Sequence, residues 1–112
     1  MSGYTRATYG PDMIDALRKH RFDACILGVC SLDPTVGLTL PVRDEAFVKS
    51  AMVERSNLVV AVAARGKLGT AEPFVVAPAS AVGLLVTDAA ASDPTIGALV
   101  RSGVEVVCVP TE

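Results

Sequence analysis

The chain has 112 residues, 51% hydrophobic, 20% charged and 4% aromatic: enough for one domain with a core of its own, and too apolar for a disordered segment. Ten Lys and Arg against twelve Asp and Glu leave a formal charge of −2, which argues against a self-sufficient nucleic-acid binder. No apolar run approaches the roughly eighteen residues of a membrane span, and Met1-Ser2-Gly3-Tyr4-Thr5-Arg6 lacks the apolar block of a secretory signal, so the expected compartment is the cytoplasm.

Residues 1–9 are short and polar where an α/β sheet would open with a strand. Either Tyr4 to Thr8 form an edge strand, or a piece that preceded them in a longer protein is missing; the pattern favours the second. Gly10-Pro11 starts a helix, with proline in the first turn, Asp12 at the positive end and Met13, Ile14 and Leu17 as its apolar stripe. Arg18-Lys19-His20-Arg21 reads as its solvated end. The run Asp23 to Cys30 is a strand. A second helix spans 43–55, with Asp44 and Glu45 in its first turn. Phe47, Val48, Ala51 and Met52 are assigned to the core, and Lys49, Ser50, Glu54 and Arg55 to the outer face.

Leu58 to Ala63 is the next strand. The 64–81 stretch carries no helical stripe, although Phe74-Val75-Val76 reads as a short extra strand. Val82 to Thr87 forms a further strand. A third helix follows, capped by Ser92 or Asp93, opened by Pro94, turning Ile96, Leu99 and Val100 to the core and stopped by Gly103. Val104 to Val109 closes the chain as a strand whose Glu105 hints at an edge position. Four apolar runs without alternation predict strands covered on both faces, hence an α/β fold with a parallel sheet between helical layers.

Three cysteines and a single histidine leave little for metal or nucleophile chemistry. Cys25 and Cys30 lie five apart on one predicted strand and point to opposite faces, and no Cys/His zinc spacing exists. No cofactor is expected. In an open parallel sheet, ligands bind beyond the carboxyl ends of the strands. Gly28-Val29-Cys30-Ser31-Leu32-Asp33, leading to Gly37-Leu38-Thr39, offers unobstructed amides and the Ser31 hydroxyl, or is simply a tight turn in which Asp33 caps its own Asx turn before Pro34. Lys67, between Gly66 and Gly69, is placed to meet a phosphate or is an exposed loop lysine, with Arg65 in support or solvated. Asp88 holds a sugar hydroxyl or caps the next turn.

Several of these segments, in order, resemble one family. Phe22-Asp23-Ala24-Cys25-Ile26-Leu27-Gly28 resembles the aD-x-a-F-l-G strand of DeoR-type bacterial transcriptional regulators, and Asp33 with Gly37-Leu38-Thr39 their i-D…G-l-T segment. Glu45-Ala46-Phe47-Val48-Lys49-Ser50-Ala51-Met52 resembles their e-A-x-v-K-r-a-M helix. Ala63-Ala64-Arg65-Gly66-Lys67-Leu68-Gly69 is similar to A-D-x-S-K-f-G, and Leu85-Val86-Thr87-Asp88 and Gly103-Val104-Glu105-Val106-Val107 to l-i-T-D and the closing G-v-e-v strand.

The resemblance implies a C-terminal effector-sensing domain of three-layer αβα build, mostly parallel, similar in fold to ribose-5-phosphate isomerase and the CoA-transferase group and truncated on its N-terminal side. It implies a homo-oligomer that binds a phosphorylated sugar or related metabolite and meets DNA only through a winged helix-turn-helix outside this chain. The effector-contacting set it suggests is Gly28, Cys30, Ser31, Asp33, Thr39, Lys67 and Asp88. Two departures stand out. Ala64 and Gly66 replace the family's aspartate and serine, and Val29-Cys30 and Leu32 replace its small pair and second glycine. The alternatives are a sugar-phosphate isomerase using Glu45 as base, and an assembly module without a ligand.

Overall fold

Pro11 and the acids at the head of 43–55 do start helices, and the apolar runs between them become strands. In the computed structural model, which describes residues 11–28 and 31–109, the order is α1 (Pro11–Arg18), β1 (Phe22–Gly28), β2 (Ser31–Asp33), β3 (Gly37–Leu40), α2 (Arg43–Arg55), β4 (Ser56–Ala63), β5 (Phe74–Ala77), β6 (Leu84–Thr87), α3 (Pro94–Arg101) and β7 (Glu105–Cys108). Single 3₁₀ turns at Arg65–Lys67 and Ala79–Ala81 flank β5. The fold is α/β, with a mostly parallel four-stranded sheet and its helices. Tyr4 to Thr8 lie outside the described residues.

The main sheet runs β1-β4-β6-β7, every neighbour parallel, with Leu27, Ala61, Leu85 and Val106 in one row. Parallel neighbours need crossovers, and α2 and α3 supply two of them. The third helix is capped by Asp93, whose Oδ1 accepts the Thr95 N–H at 2.8 Å, and Pro94 stands in its first turn. At the other end of the sheet, Arg55 Nε donates to the His20 carbonyl at 3.0 Å, tying α2 to the entry of β1.

A second sheet, β2-β3-β5, is antiparallel. Only β5 was legible as a strand; Ser31–Asp33 and Gly37–Leu40 read as loop, because a three-residue strand and a four-residue strand are too short to show a period. Asp33 Oδ2 accepts the N–H groups of Thr35 and Val36, each at 2.9 Å, and so turns the chain between them.

Burial along the main sheet alternates, contrary to the expectation of strands covered on both faces. Cys25, Leu27, Val59, Ala61, Ala63 and Leu85 are buried, in one cluster with Ala46 of α2 and Ile96 and Leu99 of α3. Their neighbours on the opposite face are open: Ile26 is 71% exposed, and Leu58, Val62 and Val107 are exposed as well. Among the described residues, all helical packing falls on one side, so aliphatic side chains that read as doubly buried line a bare face.

Two core assignments are corrected. Phe47 is 49% exposed, its ring under the Arg43 guanidinium at 5.3 Å. Phe47 faces α1 rather than the sheet, lining a shallow groove with Ile14, Asp15 and Arg18 that leaves its ring half open to solvent. Val100 is also exposed, because Ile96 and Leu99 alone fill the contact of the two-turn α3.

Candidate functional site

The four parallel strands end together, with Gly28 beside Val62, Val62 beside Val86, and Thr87 beside Cys108. Beyond these ends lies a cavity of about 480 Å³. Its floor is Gly28, Val62, Val86 and Val109, and Lys67 and Asp88 give it a polar rim, with Ala64 also on the lining. Ile26, Leu58 and Val107 continue the floor's apolar face toward the opposite end of the sheet.

The rim is held by specific bonds. Asp88 Oδ1 accepts the Arg65 backbone N–H at 2.7 Å. The Lys67 N–H donates to the Ala64 carbonyl at 2.8 Å, closing the 3₁₀ turn that aims Lys67. That loop is then fastened to β2: the Gly69 N–H donates to the Leu32 carbonyl at 2.8 Å, and the Thr70 hydroxyl shares a 2.9 Å hydrogen bond with Ser31 Oγ. Thr87, also on the lining, is largely buried and its Oγ1 accepts the Ala89 N–H at 3.2 Å.

Of the seven residues named from sequence, Gly28, Lys67 and Asp88 come together on this cavity. Ser31, Asp33 and Thr39 do not line it. Ser31 is buried beneath the Lys67 loop, Asp33 caps the β2–β3 turn, and Thr39, fully buried, accepts the Glu72 N–H at 2.8 Å. Cys30 lies outside the described residues. Asp88 does not cap the turn after it; it ties down the Arg65 loop instead and also lines the cavity. Val62, Val86 and Val109 were not anticipated as floor residues; the signal that could have found them is the period of two, which sends every second residue of each strand to one face. Glu45 and Lys49 of α2 are not on the cavity lining. Among the described residues no group of His, Cys, Asp and Glu is clustered to hold a metal.

Residues 1–89 match the family model described as the DeoR C terminal sensor domain. The chain belongs to that family. It is 35% identical over 103 residues to the HTH-type transcriptional regulator GlpR of Haloferax volcanii, and 28% identical over 102 residues to the HTH-type transcriptional repressor GlcR of Bacillus subtilis. These alignments take in 92% and 91% of the chain but 40% and 39% of the relatives, so the chain spans about two fifths of the length of each. A DeoR-type sensor domain serves a transcriptional regulator by binding rather than by turnover, and this chain is not an enzyme. Among the described residues no helix is long and apolar enough to cross a membrane.

Proposed function

We propose that this DeoR-type domain senses an anionic metabolite, a phosphorylated sugar or a close relative, in the cavity at the carboxyl ends of the main sheet. The observation that carries this reading is the convergence of Lys67 and Asp88, from two separate loops, on the rim of one concavity. The Lys67 ammonium supplies a point charge for a phosphate. The Asp88 oxygen not engaged by Arg65 accepts from a hydroxyl, and the valine floor takes the carbon skeleton. Ligand binding would bias the geometry of a homo-oligomeric cytoplasmic regulator whose DNA contacts come from a helix-turn-helix domain outside these residues. The two relatives are named as HTH-type regulators, which supports that division of labour.

The test is a thermal-shift panel of phosphorylated sugars on the chain and on Lys67→Ala. A ligand that binds only the folded state raises apparent stability, by about 2.7 kcal/mol at a hundredfold excess over Kd. The expected result is a shift of several degrees with at least one sugar phosphate, abolished in Lys67→Ala and absent with the unphosphorylated sugar. No shift with any member of the panel would refute the sensing role. It would favour the assembly module without a ligand, a reading to which Ala64 and Gly66, standing where the family carries polar residues, also point.

A further inference from the structure

Thr70 Oγ1 lies 2.9 Å from two oxygens, Ser31 Oγ and the carbonyl of Lys67. A threonine hydroxyl carries one proton, and a carbonyl can only accept. The two contacts therefore fix a direction: Thr70 donates to the Lys67 carbonyl, and Ser31 donates to Thr70. We infer that Ser31, which does not line the cavity, is a positioning residue for the Lys67 ammonium, acting through Thr70 on the backbone of the residue that carries the charge. Its effect on effector affinity rests on the site proposed above; the ordering of Lys67 does not.

Burial makes this chain of hydroxyls obligatory at one end. Ser31 is 3% exposed, whereas Thr70 is open to solvent. A buried hydroxyl without a partner is costly, and among the described residues Thr70 is the partner of Ser31. Alanine would fill the same place in β2 with no polar group to desolvate, so what serine adds there is the bond it makes. Thr70 has water as an alternative partner and Ser31 does not. The buried group thus holds the exposed one, with the Thr70 proton aimed at Lys67.

At Lys67 the result is that both backbone groups are engaged. The N–H donates to the Ala64 carbonyl at 2.8 Å, and the carbonyl takes the Thr70 proton. The Gly69 N–H donates to the Leu32 carbonyl at 2.8 Å, and Asp88 accepts the Arg65 N–H from the main sheet. The turn is pinned by β2 on one side and by the end of β6 on the other, which leaves the half-buried Lys67 the freedom of its side chain alone. Lysine is a point charge on a flexible stem, so where the stem begins decides what the ammonium reaches. Ser31 fixes that origin from the small sheet, of which no described residue is on the cavity lining.

The experiment reads the three lysines of the chain, Lys19, Lys49 and Lys67, by NMR after carbon-13 labelling at the ε carbon. The variants are Ser31→Ala, Thr70→Val, Thr70→Ser and Ser56→Ala. Ser56→Ala removes a part-buried hydroxyl that donates to the Met52 carbonyl at 2.7 Å at the opposite end of the sheet, and controls for lost stability alone. Circular dichroism checks that each variant folds; Thr70 is exposed, so its variants keep the test open if Ser31→Ala does not. In the wild type the Lys67 ε-methylene should resonate apart from that of exposed Lys19. In Ser31→Ala and Thr70→Val it should move toward the Lys19 position, while Thr70→Ser and Ser56→Ala should leave it in place. Thr70→Val should also melt below Ser31→Ala, because it strands the buried Ser31 hydroxyl, whereas Ser31→Ala leaves Thr70 to water. In calorimetric titrations with ribose 5-phosphate and glucose 6-phosphate, a probe that binds the wild type should show a Kd raised about three- to tenfold in Ser31→Ala and Thr70→Val, the effect of one neutral hydrogen bond.

A Lys67 signal that neither Ser31→Ala nor Thr70→Val moves overturns the positioning role. A Thr70→Ser that behaves like Thr70→Val overturns it too, by giving the effect to the methyl group. So does a Ser56→Ala that moves the signal equally, because general loosening would then explain it. A Kd that holds in Ser31→Ala while the Lys67 signal moves would sever the positioning of Lys67 from effector affinity. A signal that moves as expected in a chain that binds neither probe would leave Ser31 its role and sink the effector-site reading instead.

Discussion

The Asp88 carboxylate holds the Arg65 backbone N–H at 2.7 Å, joining the end of β6 to the turn that carries Lys67. One side chain therefore faces the cavity and fixes the loop opposite it. Removing it as Asp88→Ala strips the partner from a charge-assisted bond at a half-buried site and should cost about 1–2 kcal/mol. Asp88→Asn, which keeps an acceptor oxygen, should cost less than about 0.5 kcal/mol. Urea denaturation of the two variants checks the difference; equal losses would mean that the carboxylate contributes charge rather than an acceptor for Arg65.

Ala64 lines the cavity where the resembled pattern carries aspartate, and Gly66 takes the place of its serine. An added carboxylate at 64 would give a sugar hydroxyl a second acceptor besides Asp88 on the cavity lining. A hydrogen bond to a charged group contributes about 1.5–3 kcal/mol, so Ala64→Asp with Gly66→Ser should tighten polyhydroxylated phosphates by roughly tenfold or more. Calorimetric titration with glucose 6-phosphate checks this. Unchanged affinity would show that the ligand's hydroxyls do not approach residue 64.

Much of this architecture was legible because local chemistry and global position agree. Pro94 and Asp93 start a helix by their own stereochemistry and hydrogen bonding, and 43–55 was bounded by the acids in its first turn and a strand after it. The bare face was not legible. Ile26, Leu58 and Val62 are as aliphatic as Leu27, Val59 and Ala61, and composition alone cannot separate a residue awaiting a covering layer from one already covered. The site was legible in part. Asp88 directly follows β6 and Lys67 closes the short turn after β4, so the parallel sheet gathers them. Ser31, Asp33 and Thr39 belong to the small antiparallel sheet, which the sequence does not announce, and their oxygens serve backbone and loop instead.

Thr39 separates support from contact experimentally. It is fully buried, and its Oγ1 accepts the Glu72 N–H at 2.8 Å. Thr39→Val keeps the shape but strands that N–H, at a cost of about 1–3 kcal/mol. Thermal melting should therefore fall, while sugar-phosphate affinity, measured at a temperature where the variant stays folded, should hold within about twofold. Weakened binding without lost stability would instead place the hydroxyl against the ligand.

Gly37 is the sharpest backbone constraint in the small sheet. Its φ of 102° lies in the left-handed region that side chains avoid, and a Cβ built there would collide with the Ala77 carbonyl oxygen of β5. Both faults are fixed by backbone, so no rotamer change relieves them. Gly37→Ala should destabilise by more than about 2 kcal/mol, through strain at φ added to overpacking against β5. Gly28→Ala offers the contrast, because among the described residues nothing lies within 4 Å of a Cβ at that position and its φ is unexceptional. Its stability should change by less than about 1 kcal/mol, while the added methyl narrows the cavity floor. Paired urea titrations of the two variants check the ordering, and a Gly37→Ala as stable as Gly28→Ala would mean that β3 and β5 do not approach as closely as the β3–β5 pairing requires.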